Sequence, residues 1–171
     1  MVGGSIPSGR AGMIIRLSEL KSLRKKCESR KIVLTGGTFD LLHYGHIRHL
    51  EKLRNYGDVV VVSLMSDMRA RLLKGPGRPV INQVERAKIM DSLKAVDYVV
   101  RMPRPHPNKP LPTFRIIRLL SPDVFVTADK RWEKNVGQFE KSGVKLVTVP
   151  REKVNSTTRI IKKIIRSHRS N

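Results

Sequence analysis

The sequence is short of cysteine, of aromatic side chains and of long apolar runs, and each shortage excludes a class of protein. Cys27 is the single cysteine, so it has no partner for an internal disulfide, which fits a protein of the reducing cytoplasm. No apolar stretch approaches the roughly 18 residues of a transmembrane helix. Residues 1–13 are rich in Gly and Ser and lack the apolar block of a secretion signal. We expect residues 1–13 to be a flexible tail and residues 14–171 to be one α/β domain.

Acidic residues are also few, and the charge balance is the most unusual feature of the composition. Lysine and arginine total 35 against 14 aspartate and glutamate residues, which gives a formal net charge of +21. Three interpretations stay open: the basic surface steers polyanionic substrates, it binds nucleic acid non-specifically, or it reflects the ionic conditions of the source cell. The basic residues are spread over the chain and only 5% of all residues are aromatic. A basic nucleic-acid-binding domain is therefore the non-enzyme alternative.

One stretch, residues 31–46 (KIVLTGGTFDLLHYGH), has the order of a strand, a glycine turn and a helix start. Its first residues are apolar and β-branched, as in a buried strand. Gly36 and Gly37 allow a sharp turn and a close approach of the backbone to a ligand. The apolar residues that follow recur with helical spacing, so the pattern places His43 and His46 at the start of a helix.

This arrangement predicts a site for an anion. Open α/β sheets bind ligands beyond the carboxyl ends of their strands, and the N–H groups of a helix N-terminus favour phosphate. Gly45, between the two histidines, leaves room for a phosphate. The alternative is that His43 and His46 are ordinary first-turn residues, one capping and one packed. A zinc site is disfavoured because no cysteine or carboxylate cluster accompanies the histidines at ligand spacing.

Four further apolar runs, each compatible with a short buried strand, follow along the chain and alternate with helical patterns. They are residues 58–65, 97–102, 123–128 and 145–150. Strands that alternate with helices form a parallel sheet with right-handed crossovers. The sequence therefore predicts a single Rossmann-like, doubly wound, five-stranded parallel sheet.

The segment GGTFDLLHYGH, residues 36–46, resembles the signature of the cytidylyltransferase-like nucleotidyltransferases. In that family the two histidines stabilise the transition state when a phosphate attacks the α-phosphate of a nucleoside triphosphate, and the resemblance gives this catalytic role to His43 and His46. It also implies that the surrounding turn binds the nucleotide. The residues of that turn are Gly36, Gly37, Thr38, Phe39, Asp40 and Gly45. We expect Asp40 to hold the turn by hydrogen bonds rather than to bind a metal.

Three further basic residues match the family. LKGPGRPV, residues 73–80, is similar to a loop of the heptose adenylyltransferases, and the match places Lys74 and Arg78 where they close over phosphates. A solvated surface turn is the alternative. Arg86 stands on the following helix, where the family has an arginine that reaches the triphosphate, and an ordinary solvated helix arginine is the alternative.

Two later segments complete the expected nucleotide site. Asp129 and Trp132 are the counterparts of a family turn that helps to hold base and ribose, although the glycine of that turn is replaced here. NSTTRII, residues 155–161, resembles the family's second signature, whose hydroxyls and first amides contact the β- and γ-phosphates. The matching residues are Ser156, Thr157, Thr158 and, just upstream, Arg151. A plain helix cap is the alternative.

The resemblance implies transfer of a nucleoside monophosphate from ATP or CTP to a phosphorylated acceptor, with pyrophosphate released by in-line attack and with Mg²⁺ accompanying the triphosphate. The loop at residues 73–80 and a helix before the first strand favour a sugar 1-phosphate acceptor, as in ADP-heptose synthesis. GGTFD leans instead towards glycerol-3-phosphate cytidylyltransferase or FAD synthetase-type activity. Relatives of this kind are often dimers, so a homodimer is a further expectation.

Overall fold

A computed structural model of the chain describes residues 13–106, 112–152 and 154–169. Six strands form one sheet in which every neighbouring pair is parallel. The strands are β1 Met13–Ile15, β2 Ile32–Gly37, β3 Val59–Leu64, β4 Tyr98–Arg101, β5 Val124–Thr127 and β6 Lys145–Thr148. Their order across the sheet is β1-β4-β3-β2-β5-β6. The predicted parallel, doubly wound architecture is thereby confirmed.

Helices cover both faces of this sheet. The α-helices are α1 Leu20–Lys26, α2 Tyr44–Lys52, α3 Asp67–Lys74, α4 Gln83–Asp91, α5 Pro112–Leu120, α6 Val136–Lys141 and α7 Thr157–Arg169. Short 3₁₀ turns occupy Leu17–Glu19, Leu53–Tyr56 and Lys130–Asn135. None of the helices in the described part of the chain combines the length and the apolar character that crossing a lipid bilayer requires.

The strand sequences explain the two apolar layers. Every residue of β3 is buried, as expected for a central parallel strand covered on both faces. Because side chains alternate along a strand, Val59 and Val61 pack into the layer beneath α1 and α5. Val60 and Val62 pack into the opposite layer, beneath α2 and α4.

The sheet has one strand more than the five that the sequence predicts. The additional strand is β1, which pairs with β4 in the register Met13 to Tyr98. Its apolar run is only three residues long, Met13 to Ile15, which is shorter than the roughly four residues from which a strand is predicted. Met13 therefore begins a strand, whereas residues 1–12 of the predicted tail lie outside the described residues.

The order of the strands fixes where a ligand site can form. The chain winds from β2 through β3 to β4 on one side, and then crosses to β5 and β6 on the other side of β2. The strand order therefore reverses between β2 and β5, and ligands of open α/β sheets bind at such a point beyond the carboxyl ends of the strands. The segments that follow β2, β5 and β6 all reach this edge.

Candidate active site at the switch point of the sheet

The imidazoles of His43 and His46 stack against each other at the start of α2. Their ring centroids are 3.7 Å apart and their planes differ by 21°. His43 is the N-cap residue of α2, but its side chain makes no capping hydrogen bond. The edge of the Phe39 ring contacts His46 at a centroid distance of 5.3 Å. Both imidazoles are half-buried, so each ring contacts the protein interior on one side and remains accessible on the other.

Burial, together with electrostatic interactions with His43, Lys74 and His49, lowers the pKa of His46 to about 3, so this ring is neutral at physiological pH. Burial also lowers the pKa of His43. The Nδ1 atoms of both rings are buried and have no hydrogen-bond partner in the described structure. Unpaired buried polar atoms are uncommon and cost free energy, so the pair is suited to receive a polar ligand.

The turn between β2 and α2 is strained. Phe39 has a φ of 48° and Leu41 a φ of 43°, a conformation that costs non-glycine residues free energy and that clusters at functional sites. Gly37 is required by the same turn, because a Cβ there would lie 2.7 Å from the Phe39 ring. Gly36 lies against Ser63, whose Oγ would be 3.0 Å from an added Cβ. The glycines therefore serve close packing of this turn.

Asp40 holds the turn to the loop that follows α3, as the sequence predicts. Its carboxylate accepts hydrogen bonds from the amides of Val80, at 3.0 and 3.1 Å, and of Ile81, at 3.1 Å. It also accepts a hydrogen bond from Arg78 Nε at 2.9 Å. Burial alone would raise the pKa of Asp40, but the two amides and the Arg78 guanidinium hold it below its usual range. Asp40 is thus an ionised carboxylate whose oxygens are already engaged.

Lys74, the last residue of α3, lies within the electrostatic reach of the imidazole pair. Although the residue is exposed overall, desolvation lowers the pKa of its ammonium group, and the charges of Arg78, Arg86 and Arg151 lower it further while Asp40 raises it. Lys74 also contributes to the lowered pKa of His46. Lys74 is therefore close enough to the start of α2 to act on the charge of His46.

Arg86 occupies a different position from the one that the family resemblance implies. Its side chain is fully buried, and the guanidinium donates to the carbonyl oxygens of Thr38 and Met65 and to Asp67 Oδ1, the last at 2.6 Å. Its Nε donates to the carbonyl of Ile81 at 2.8 Å. All three guanidinium nitrogens of Arg86 donate hydrogen bonds within the protein. Arg86 therefore stabilises the turn after β2 from its buried side instead of reaching a triphosphate.

The second motif meets the first. Thr157, the first residue of α7, is buried, and its Oγ1 donates to the carbonyl of Asp40 at 2.5 Å. A Cβ on Gly45 would lie 3.5 Å from the carbonyl oxygen of Asn155 and 3.2 Å from the His43 ring. Gly45 therefore lets α2 approach the segment that precedes α7. The N-termini of these two helices consequently lie side by side.

Ser156 caps α7, which is the alternative that the sequence left open. Its Oγ accepts a hydrogen bond from the amide of Arg159 at 3.2 Å, and its carbonyl accepts one from the amide of Ile160 at 3.0 Å. A capping hydroxyl keeps its own proton available for another acceptor. Thr158 is exposed at the same helix start.

A groove of about 850 Å³ is formed by the ends of β5 and β6 and the segments that follow them. It is lined by Ala128, Asp129, Lys130, Arg131, Glu133, Thr148, Val149, Pro150 and Arg151. Asp129 and Arg151 therefore share one groove. The carboxylate of Asp129 is paired with Arg131, whose Nη2 lies 2.6 Å from Oδ2, and this pairing lowers the pKa of Asp129.

Trp132 does not line this groove. Its ring packs against Phe125, Phe114 and Phe139 with centroid distances of 5.3, 6.1 and 5.9 Å. These aromatic residues belong to the layer beneath α1 and α5. The half-buried indole thus has a packing role, and a contact between Trp132 and the nucleotide stays a prediction.

The sequence interpretation missed His49, which lies one turn after His46. Thr35 Oγ1 donates to the carbonyl of Val126 at 2.8 Å, so it accepts from Nε2 of His49 at 3.2 Å. Burial lowers the pKa of His49, while Glu152 raises it. The spacing of three residues from His46 was the available signal, because it places His49 on the same side of α2.

A separate question is whether the site offers ligands for a divalent cation. Within residues 13–106, 112–152 and 154–169, no three His, Cys, Asp or Glu side chains are grouped to hold a metal. Asp40, the carboxylate of the turn, has both oxygens engaged by Val80, Ile81 and Arg78. The described side chains therefore offer no ready cluster of protein ligands for Mg²⁺.

Known proteins are similar to this chain in sequence. Residues 34–163 match the cytidylyltransferase-like family. The chain is 42% identical over 147 residues to the bifunctional protein HldE of Geobacter metallireducens, an alignment that covers 84% of this chain and 29% of the relative. It is 39% identical over 156 residues to the bifunctional protein HldE of Aliarcobacter butzleri, covering 90% of this chain and 31% of that relative. The chain thus spans less than a third of the length of these relatives.

Solved structures agree with the fold. The lipopolysaccharide core biosynthesis protein from Thermoplasma volcanium is 25% identical and superposes with a TM-score of 0.60 over 74% of this chain and 99% of its own. Pantoate-beta-alanine ligase from Francisella tularensis, at 17% identity, gives a TM-score of 0.56 over 82% of this chain and 67% of its own, and shares the fold alone. Because the family match covers most of the sequence, the chain belongs to the cytidylyltransferase-like family of nucleotidyltransferases.

Proposed function

We propose that the chain transfers a nucleoside monophosphate from a nucleoside triphosphate to a phosphorylated acceptor and releases pyrophosphate. The observation that carries the proposal is the meeting of the N-termini of α2 and α7 beside the stacked rings of His43 and His46. Helix N-termini favour phosphate groups, and Lys74 adds positive charge at the same place. Such a site suits a polyphosphate better than a neutral ligand.

A sugar 1-phosphate with ATP as the donor is the favoured substrate pair. The relatives at 42% and 39% identity are bifunctional HldE proteins, and residues 73–80 resemble a loop of the heptose adenylyltransferases. The solved relative from Thermoplasma volcanium is a lipopolysaccharide core biosynthesis protein, which also favours a sugar acceptor. Glycerol 3-phosphate with CTP and flavin mononucleotide with ATP are the competing pairs, because GGTFD leans towards those branches.

The reaction we propose is a direct in-line displacement. An oxygen of the acceptor phosphate attacks the α-phosphorus, and the bond to the bridging oxygen breaks, so that pyrophosphate leaves with the electron pair. Catalysis of this kind depends on positioning and on stabilising the charge of the transition state. The neutral rings of His43 and His46 donate N–H groups to the α-phosphate oxygens, and the first turn of α7 binds the β- and γ-phosphates.

Two buried residues position this machinery without contacting the substrate. Asp40 joins the turn after β2 to the loop after α3 and to α7, and Arg86 joins the same turn to Met65 and Asp67. Mg²⁺ enters as part of the substrate, bound to the triphosphate, as is usual for this ion. The groove that contains Asp129 and Arg151 receives the nucleoside.

The proposal is tested by measuring pyrophosphate release. Purified protein is supplied with ATP or CTP in Mg²⁺ buffer, with and without heptose 1-phosphate, glycerol 3-phosphate or flavin mononucleotide. We expect release that depends on both substrates and is fastest with ATP and heptose 1-phosphate. Fastest release with glycerol 3-phosphate and CTP, or with flavin mononucleotide, would correct the acceptor while preserving the reaction.

The same preparation distinguishes the non-enzyme alternative. A basic nucleic-acid-binding domain would bind DNA or RNA with strong dependence on salt concentration and would release no pyrophosphate with any substrate pair. That combination of results would overturn the proposed transfer reaction.

A further inference from the structure

The outer half of α7 presents an apolar stripe that the domain does not cover. Ile160 and Ile161, near the start of the helix, are half-buried. Ile164 and Ile165, one turn further along, are 50% and 48% exposed. From Lys162 to His168 every residue of the helix is exposed. The stripe therefore continues beyond the point at which the rest of the domain supports the helix.

The opposite side of α7 is cationic. At 100° per residue, the four isoleucines fall within an arc of about 140°, and Arg159, Lys162, Lys163 and Arg166 fall within an arc of about 100° on the other side. A helix with separated apolar and basic faces is typical of peptides that lie in a membrane interface. The apolar face enters the boundary of the acyl chains, and the long basic side chains extend to the head groups.

The charge of the molecule selects among the possible partners of this stripe. A second copy would bring two cationic helices together, each on a chain with a net charge of +21. Nucleic acid would use the cations but would leave the exposed isoleucines in water. An anionic lipid surface uses both features, because polybasic segments are attracted to anionic head groups and apolar side chains are buried beneath them.

We propose that α7 docks the protein onto an anionic lipid membrane surface, with Ile164 and Ile165 inserted at the level of the head groups. The proposal does not depend on the transfer reaction, because these residues lie two turns from the helix start that contacts Asp40. Two isoleucines provide a small apolar area, so the charge and the apolar contact are both needed. Binding should therefore require anionic lipid and weaken as salt is added.

The test is flotation with vesicles of phosphatidylcholine alone or mixed with phosphatidylglycerol. We expect binding to the mixed vesicles only. The double variant Ile164→Ser with Ile165→Ser keeps the charge and should bind at least about tenfold more weakly. The double variant Lys162→Gln with Lys163→Gln keeps the isoleucines and should bind about 25-fold more weakly, since each cation contributes roughly fivefold near an anionic surface. Val136→Ser, at an apolar residue of α6 that is 48% exposed, is the matched control.

Two results would overturn the proposal. If the isoleucine variant binds the mixed vesicles as well as the unaltered protein does, attraction is purely electrostatic and α7 is not inserted. If the protein does not bind vesicles and the isoleucine variant converts a dimer into a monomer in light scattering, the stripe is an interface between copies of this chain. Circular dichroism and pyrophosphate release confirm that each variant is folded, and neither readout should change.

Discussion

The hydroxyl of Thr157 donates to the carbonyl oxygen of Asp40 at 2.5 Å, although the two residues are 117 positions apart. The carboxylate of Asp40 simultaneously accepts from the amides of Val80 and Ile81. One buried aspartate thus joins the two sequence motifs and the loop after α3. The relative position of the two helix starts is consequently set by a few buried hydrogen bonds.

Replacing Thr157 with valine should lower the free energy of unfolding. Valine preserves the shape of threonine but leaves the Asp40 carbonyl without its partner, and an unsatisfied buried acceptor costs about 1 to 3 kcal/mol of stability. Urea denaturation measures the loss. Thr158→Val is the matched control for stability, because Thr158 is exposed at the same helix start. Equal stability of the two variants would show that the hydroxyl contact contributes nothing.

Replacing His46 with alanine should lower the turnover number about a hundredfold or more, since one lost hydrogen-bond donor to the transition state costs roughly 3 kcal/mol. The fold should persist, because the ring is only half-buried and has no hydrogen-bond partner at its buried Nδ1. Steady-state pyrophosphate release gives the turnover number. His168→Ala, at an exposed position on α7, should leave it unchanged. Near-normal turnover of the His46 variant would refute the catalytic assignment.

Replacing Arg86 with methionine should destabilise the protein instead of acting on catalysis alone. The guanidinium is fully buried and donates to the carbonyls of Thr38, Met65 and Ile81, and each buried acceptor left without a donor costs about 1 to 3 kcal/mol. Denaturant unfolding measures the loss, with Lys88→Met on the exposed side of the same helix as the control. If the arginine bound the triphosphate, the variant would keep its stability and lose only turnover.

Local patterns were sufficient to predict much of the fold and the first motif. The β-branched run before Gly36 forms β2, and helical spacing begins at Tyr44, where α2 starts. Both features could be predicted because the periods of a strand and of a helix are visible within a few consecutive residues. The meeting of residues 36–46 with residues 155–161 follows from the order of strands in a doubly wound sheet.

The orientation of individual side chains could not be predicted from the sequence. Arg86 finds its acceptors on Thr38, Met65 and Asp67, which come from two other segments. An arginine on a helix suits a buried network and a phosphate equally well, so residue type does not decide between them. Trp132 is a similar case, because an indole packs against phenylalanine rings as readily as it covers a nucleoside.

Replacing Trp132 with leucine should therefore lower stability more than nucleotide affinity. The indole contacts Phe125, Phe114 and Phe139, and aromatic pairs contribute about 0.5 to 1.5 kcal/mol beyond the area they bury. Thermal unfolding should show a lower Tm, and the KM for ATP should change less than about threefold. A large rise in KM with an unchanged Tm would restore the nucleotide-holding role of Trp132.

The stacked imidazoles should also make the folded state sensitive to acid. The pKa of His46 is about 3 in the folded protein against an ordinary value of 6.5, so the unfolded chain takes up a proton first as the pH falls. The stability contributed by the neutral ring is complete above pH 6.5, declines below it and is exhausted near pH 3. Each pKa unit corresponds to about 1.4 kcal/mol, and solvent screening of a half-buried ring reduces the total to about 2 to 3 kcal/mol.

Urea denaturation of the unaltered protein and of His46→Gln, each at pH 7 and pH 4, measures the difference. Carboxylates such as Asp40 contribute equally to both proteins, so the glutamine variant should lose less stability between the two pH values. Identical losses would mean that His46 titrates at its ordinary pKa and that the ring is not held neutral by its surroundings.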